Sequence, residues 1–226
     1  MRILIFILFS LATGLCYSQA VISGSLEELW WDFKGEQIKD GSHQYASYKG
    51  KPYILETTDA AIVLDKNKRV EGLTIRYNVY NDRMELKNGD VYYNISLDER
   101  VQEVHLDDHQ FAVMRFLAGK SKAQGYFETI LKDEKCSLFL RHNMLLKEAE
   151  PAKPFQEERP AEFKQQAATS FIRLNTDYLV PVYNKKDFLN LIPDKQAQVA
   201  RFIKKQKLKF RKPESVRELV EYYNSL

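Results

Sequence analysis

The rhythm of apolar and polar positions changes along this chain. In the middle it has period two: Leu73, Ile75, Tyr77 and Val79 alternate with Thr74, Arg76, Asn78 and Tyr80. That is the signature of a strand with one buried face. Further β-rich runs occupy residues 91–95, 101–106, 111–117, 126–131 and 136–141. Turn signals stand between them, at Asn81-Asp82, Asn88-Gly89-Asp90, Asp107-Asp108, Gly119-Lys120 and residues 132–135. Strands spaced this closely, with no helical pattern between them, predict antiparallel hairpins in a β-meander rather than βαβ units.

Residues 148–160 carry three prolines and predict an extended connection. A last hairpin follows, turning at Asn175-Thr176-Asp177. From residue 183 the period becomes 3.6. Asn184 is placed to cap a helix holding Phe188, Leu189 and Ile192, and Pro193 to open a second with Val199, Phe202 and Ile203 on one face. Pro213 starts a third, with Val216, Leu219, Val220 and Tyr223 at i, i+3, i+4 and i+7. Helices this short need a packing partner.

The N-terminal end reads differently again. Arg2 precedes an uncharged stretch, residues 3–18, with an apolar core and small residues at Cys16 and Ser18. That predicts a signal peptide cut before Gln19. A membrane anchor would need a longer span, and a lipoprotein signal a residue smaller than Leu15 before Cys16. Residues 19–49 form an extension with one short helix, on which Leu26, Leu29, Trp30 and Phe33 share a face. The expected class is therefore α+β, mainly β. A β-meander, as an open sheet or incomplete barrel, spans 50–182, and a small helical subdomain spans 183–226.

Composition sharpens this picture. The chain has 226 residues, is 44% hydrophobic and has 13 Tyr and 13 Phe, ample for a packed core. Its net charge is +3, and loss of Arg2 leaves 33 Lys+Arg against 31 Asp+Glu. A near-neutral exported chain is a poor candidate for nucleic-acid binding, and no mature segment is apolar enough to span a bilayer. Cleavage leaves Cys136 as the single cysteine, expected as a buried packing residue.

Several strings have a family look: Tyr77-Asn78-Val79-Tyr80-Asn81-Asp82-Arg83-Met84-Glu85, Gly125-Tyr126-Phe127-Glu128, Pro151-Ala152-Lys153-Pro154-Phe155-Gln156-Glu157, Asp194-Lys195, Phe202-Ile203-Lys204-Lys205 and Tyr222-Tyr223-Asn224. From about residue 50 onward the chain resembles a group of uncharacterised exported proteins of Bacteroidota-type Gram-negative bacteria. The resemblance implies a periplasmic, outer-membrane-associated or secreted setting. It implies no activity and no site residues.

Candidate chemistry is sparse. His105, Asp107 and His109 would share a face, as metal ligands must, only if the strand ran straight through them. Asp107-Asp108 is the better turn. No nucleophile elbow, phosphate loop, dinucleotide fingerprint or HExxH string occurs, and nothing calls for a cofactor. The strongest surface signal is Arg201, Lys204, Lys205, Lys207, Lys209, Arg211 and Lys212, seven cations within twelve residues. They suit an anionic envelope component, unless they merely complement a helix C-terminus with Glu214, Glu218 and Glu221 as local counterions. The expected role is a non-catalytic one, binding a partner protein or envelope component or serving as a structural module. The competing expectation is a hydrolase or metal-dependent enzyme with a site dispersed over the β-domain.

Overall fold

The computed structural model describes residues 22–23, 37–38, 45–64, 68–95, 101–152, 154 and 157–226. The expected signal segment and the helix around Trp30 lie outside the described residues. The chain is mainly β, an open antiparallel sheet followed by three short helices. The strands are β1 (Ile22–Ser23), β2 (Gln37–Ile38), β3 (Tyr53–Leu64), β4 (Lys68–Asn78), β5 (Arg83–Asn88), β6 (Val91–Ile95), β7 (Val101–Leu106), β8 (His109–Ala118), β9 (Ser121–Leu131), β10 (Ser137–Lys147), β11 (Glu162–Arg173) and β12 (Val180–Pro181). The helices are α1 (Lys185–Leu191), α2 (Gln196–Gln206) and α3 (Pro213–Asn224).

The meander runs in two arms from β3. One arm is β3-β4-β5-β6, with β2 at its end, and the other is β7-β8-β9-β10-β11-β12, with β7 beside β3. Only β1, on β4, pairs in parallel among these strands. The two arms face each other across one core. Tyr77 of β4 meets Phe111 of β8 and Tyr126 of β9 edge to face, and the Tyr126 hydroxyl donates to the Ile95 carbonyl of β6 at 3.2 Å. Asp82, in the β4-β5 turn at φ 51°, completes the join. Its carboxylate accepts from the Tyr77 hydroxyl at 2.8 Å and lies 3.2 Å from Arg141 Nη2 of β10. Gly125 makes room for it, since a Cβ there would come within 2.4 Å of Asp82 Oδ2.

Beyond this, Phe116, Phe127, Phe139 and Phe171 form a second core between β8, β9, β10 and β11. Leu179 plugs it, with backbone hydrogen bonds to Arg115 and Leu117 that lay the chain before β12 back on β8. The sheet therefore curls part of the way toward a barrel.

The alternation in β4 holds on one face only. Leu73, Ile75, Tyr77 and Val79 are buried as expected, but Arg76 and Asn78 are buried too. The Arg76 guanidinium is held between the rings of Tyr53 and Tyr92, 4.0 and 3.5 Å from their centroids, and its Nε donates to Glu85 Oε2 at 2.6 Å. Asn78 donates to the other Glu85 oxygen at 2.9 Å. The polar face of this hairpin closes over an ion pair instead of meeting water.

The helices lie on the β10-β11 end of the sheet. Leu138, Ile172 and Val182 join Phe188, Val199, Ile203, Val216, Leu219, Val220 and Tyr223 in one core. Asn184 caps α1 as expected, accepting from the backbone N–H groups of Lys186 and Asp187. Pro213 opens α3, whereas α2 begins at Gln196, after Pro193. The cause lies outside the helix. Asp194 accepts from the Tyr223 hydroxyl at 3.0 Å, and Lys195 takes a left-handed turn at φ 57° before the helix starts. Lys135 donates to the Tyr223 carbonyl and Asn224 to that of Cys136, both at 2.9 Å, which latches α3 to the sheet.

Candidate functional site

The seven cations of the sequence sit where α2 ends and the chain turns into α3. Lys204 and Lys205 occupy the last turn of α2, and Lys207 is its left-handed C-cap at φ 54°. Lys209, Arg211 and Lys212 follow, with Lys212 as the N-cap of α3. All seven, Arg201 included, are exposed. None is paired with a carboxylate among the described residues. Glu221 instead pairs with Arg217 at 2.8 Å, and Glu214 and Glu218 form no ion pair among the described residues.

Helix electrostatics accounts for only part of this arrangement. Cations at the C-terminus of α2 face the negative end of its dipole and are locally stabilised. Lys209, Arg211 and Lys212 precede the N-terminus of α3, whose exposed N–H groups carry partial positive charge. There the local field opposes them. The surface therefore joins like-signed charges that no carboxylate pairs with among the described residues, and its outward potential favours an anion.

The histidines are placed elsewhere. Asp107 sits in the β7-β8 turn at φ 51°, accepting from the Thr57 hydroxyl at 2.7 Å. Across that hairpin His109 pairs with Leu106 and His105 with Gln110, so His105 and His109 lie on opposite faces of the sheet. His105 meets Glu103 at 3.1 Å, and His109 Nδ1 meets Glu128 Oε1 at 2.6 Å. Among the described residues no three His, Cys, Asp or Glu side chains are arranged to hold a metal ion.

Sequence spacing misses the cluster that does form. Glu128 receives His109 on one oxygen and His142 Nε2 on the other, at 2.7 Å. Burial alone would raise its carboxyl, but the hydrogen bonds from His142 and His109 outweigh that and hold it below the ordinary glutamate range. Phe111 lies between the imidazoles, and Tyr77 stands against His142 with its own hydroxyl committed to Asp82. The arrangement clamps β8, β9 and β10 together. His109 and His142 lie 19 and 14 residues from Glu128, so only their opposed register on adjacent strands could have signalled the cluster.

Cys136 is fully buried, and burial, with the nearby Asp133 carboxylate, pushes its thiol up to about 12. Such a thiol is a poor nucleophile. No described helix is long and apolar enough to cross a membrane. No protein-family model, curated protein or solved structure matches the chain.

Proposed function

We propose that this is an exported protein of the bacterial envelope whose role is non-catalytic, and that it attaches to an anionic envelope component through the surface between α2 and α3. One observation carries the reading. Seven exposed cations are grouped there with no carboxylate partner among the described residues, three of them against the local helix field. Phosphate-bearing headgroups supply the complementary charge. The setting rests on the resemblance of residues 50–226 to exported proteins and on the leader pattern of residues 1–18.

The test is co-sedimentation of purified residues 19–226 with vesicles of phosphatidylglycerol and of phosphatidylcholine, at low and high salt. Pelleting confined to the anionic vesicles and abolished by salt supports the proposal, because exposed charges are screened over roughly 8 to 10 Å near physiological ionic strength. Salt-resistant pelleting assigns the contact to another surface. No pelleting at either salt removes the reading and returns attention to substrate screening.

A further inference from the structure

The outer edge of β11 is only partly covered. On its inner edge β11 pairs with β10 from Glu162 to Arg173. On the outer edge Lys49 bridges one end, donating its N–H to the Ala161 carbonyl at 2.7 Å and accepting from the Phe163 N–H at 2.9 Å. At the other end β12 pairs with Phe171 and Ile172, and the Val182 N–H donates to the Ser170 carbonyl at 2.9 Å. Between them, residues 164–169 face no strand among the described residues. At about 3.4 Å per residue this gap is roughly 20 Å long, the length of a common strand.

Sheets usually guard an open edge with charge or proline. Of the six residues here only Lys164 is charged, and none is proline. The edge strand carries one bulge, an extra residue of β11 between Gln166 and Thr169, where Asn143 Nδ2 donates to the Ala167 carbonyl at 2.9 Å. A cleft of about 460 Å³ runs alongside, where Ala168, Ser170 and Val182 meet Tyr183, Phe210 and Arg211. Tyr183 is 64% exposed, a large aromatic left on the rim. Ser170 is 2% exposed and its hydroxyl has no hydrogen-bond partner among the described residues. Among the described residues no carboxylate lines the cleft, and Arg211 supplies its charge.

We propose that the outer edge of β11 is a strand-addition site for an extended acidic segment of a partner protein. The partner's backbone continues the ladder across residues 164–169, one face of its side chains lies on Tyr183 and Phe210, and an aspartate or glutamate pairs with Arg211. Backbone pairing supplies affinity, and the Arg211 contact selects acidic over basic segments. The site uses only Arg211 of the cationic surface, so a failed vesicle assay leaves it standing, and its own failure leaves the vesicle result intact.

The probe is a fluorescein-labelled hexapeptide of sequence Thr-Val-Asp-Val-Thr-Val, titrated into the purified protein by anisotropy. Its twins are an alternately N-methylated peptide, which cannot complete a ladder, and one with Lys for Asp. Expected are saturable binding, a loss of about ten-fold or more on N-methylation, and slowed amide exchange at residues 164–170. Arg211→Glu, at an exposed position that leaves the fold intact, should reverse the preference between the Asp and Lys peptides. The proposal is overturned by no saturable binding up to millimolar peptide, by indifference to N-methylation or Arg211→Glu, or by protection elsewhere. It is equally overturned if the edge is already protected in the peptide-free protein, in the monomer by its own chain or on dimerisation by a second copy.

Discussion

The interior of the sheet and the surface of its helical end handle charge in opposite ways. Inside, Arg76 and Glu85 are 6% and 3% exposed and lie 2.6 Å apart, Glu128 is met by two histidines, and Asp82 by Arg141. On the helices seven cations stand exposed with no carboxylate partner among the described residues. Desolvation explains the difference. A charge taken from water persists only when a partner and hydrogen bonds replace its hydration, whereas a solvated charge needs no partner to persist. The paired charges hold strands to one another, and the unpaired ones project a field outward. Removing a member of the first group should damage the fold, and removing members of the second should damage only binding.

The largest effect is expected from Glu85→Ala, which removes the carboxylate facing both Arg76 and Asn78. Urea titration should show a loss of about 3–5 kcal/mol, the usual result of breaking a buried pair from one side. Replacing both partners together, as Arg76→Met with Glu85→Leu, should recover much of that loss. Gly125→Ala should come next, at about 1–3 kcal/mol, because the added Cβ displaces Asp82 from Arg141 and Tyr77. Combining it with Asp82→Ala should cost less than the sum of the two single changes.

Glu128→Gln should cost on the order of 1–2 kcal/mol at neutral pH, as its hydrogen bonds lose their charge. The sign with pH follows from the direction of its shift. Its folded carboxyl lies below the ordinary value of 4.5, so the stability it adds is fully present above that value and is lost as pH falls through the folded one. Melting curves of the two proteins should converge in acid. The smallest stability change is expected from Lys204→Glu, Lys205→Glu and Lys207→Glu together, within about 0.5 kcal/mol per site. That triple variant should nevertheless fail to pellet with anionic vesicles, the outcome that separates the two kinds of charge most sharply.

The elements themselves were largely legible in the sequence. Asn184 caps α1, Pro213 opens α3, and the turns at Asp82, Asp107 and Gly119 fall where their residue types suggested. The cationic run was legible too, although its setting was not. The backbone places Lys207 as the left-handed C-cap of α2 and Lys212 as the N-cap of α3, so the run spans two helix ends of opposite field. Arg76 and Asn78 read as a solvent face because alternation reports polarity, and the aromatic cover comes from Tyr53 and Tyr92 on other strands. Pro193 suggested a helix start three residues too early, because Tyr223, 29 positions away, draws Asp194 into a turn first.

What the sequence by itself determined was the local grammar of this protein: period two, then period 3.6, with turns and caps between. Those features depend on side chains within a few residues of one another, so nearby positions suffice to specify them. Only the tertiary structure decided that β7 returns to β3, that Asp82 meets Arg141 across 59 residues, and that no strand among the described residues covers the outer edge of β11 beside Arg211. Such pairings follow from burying apolar faces and satisfying buried charge across the whole sheet, and no single segment carries that information.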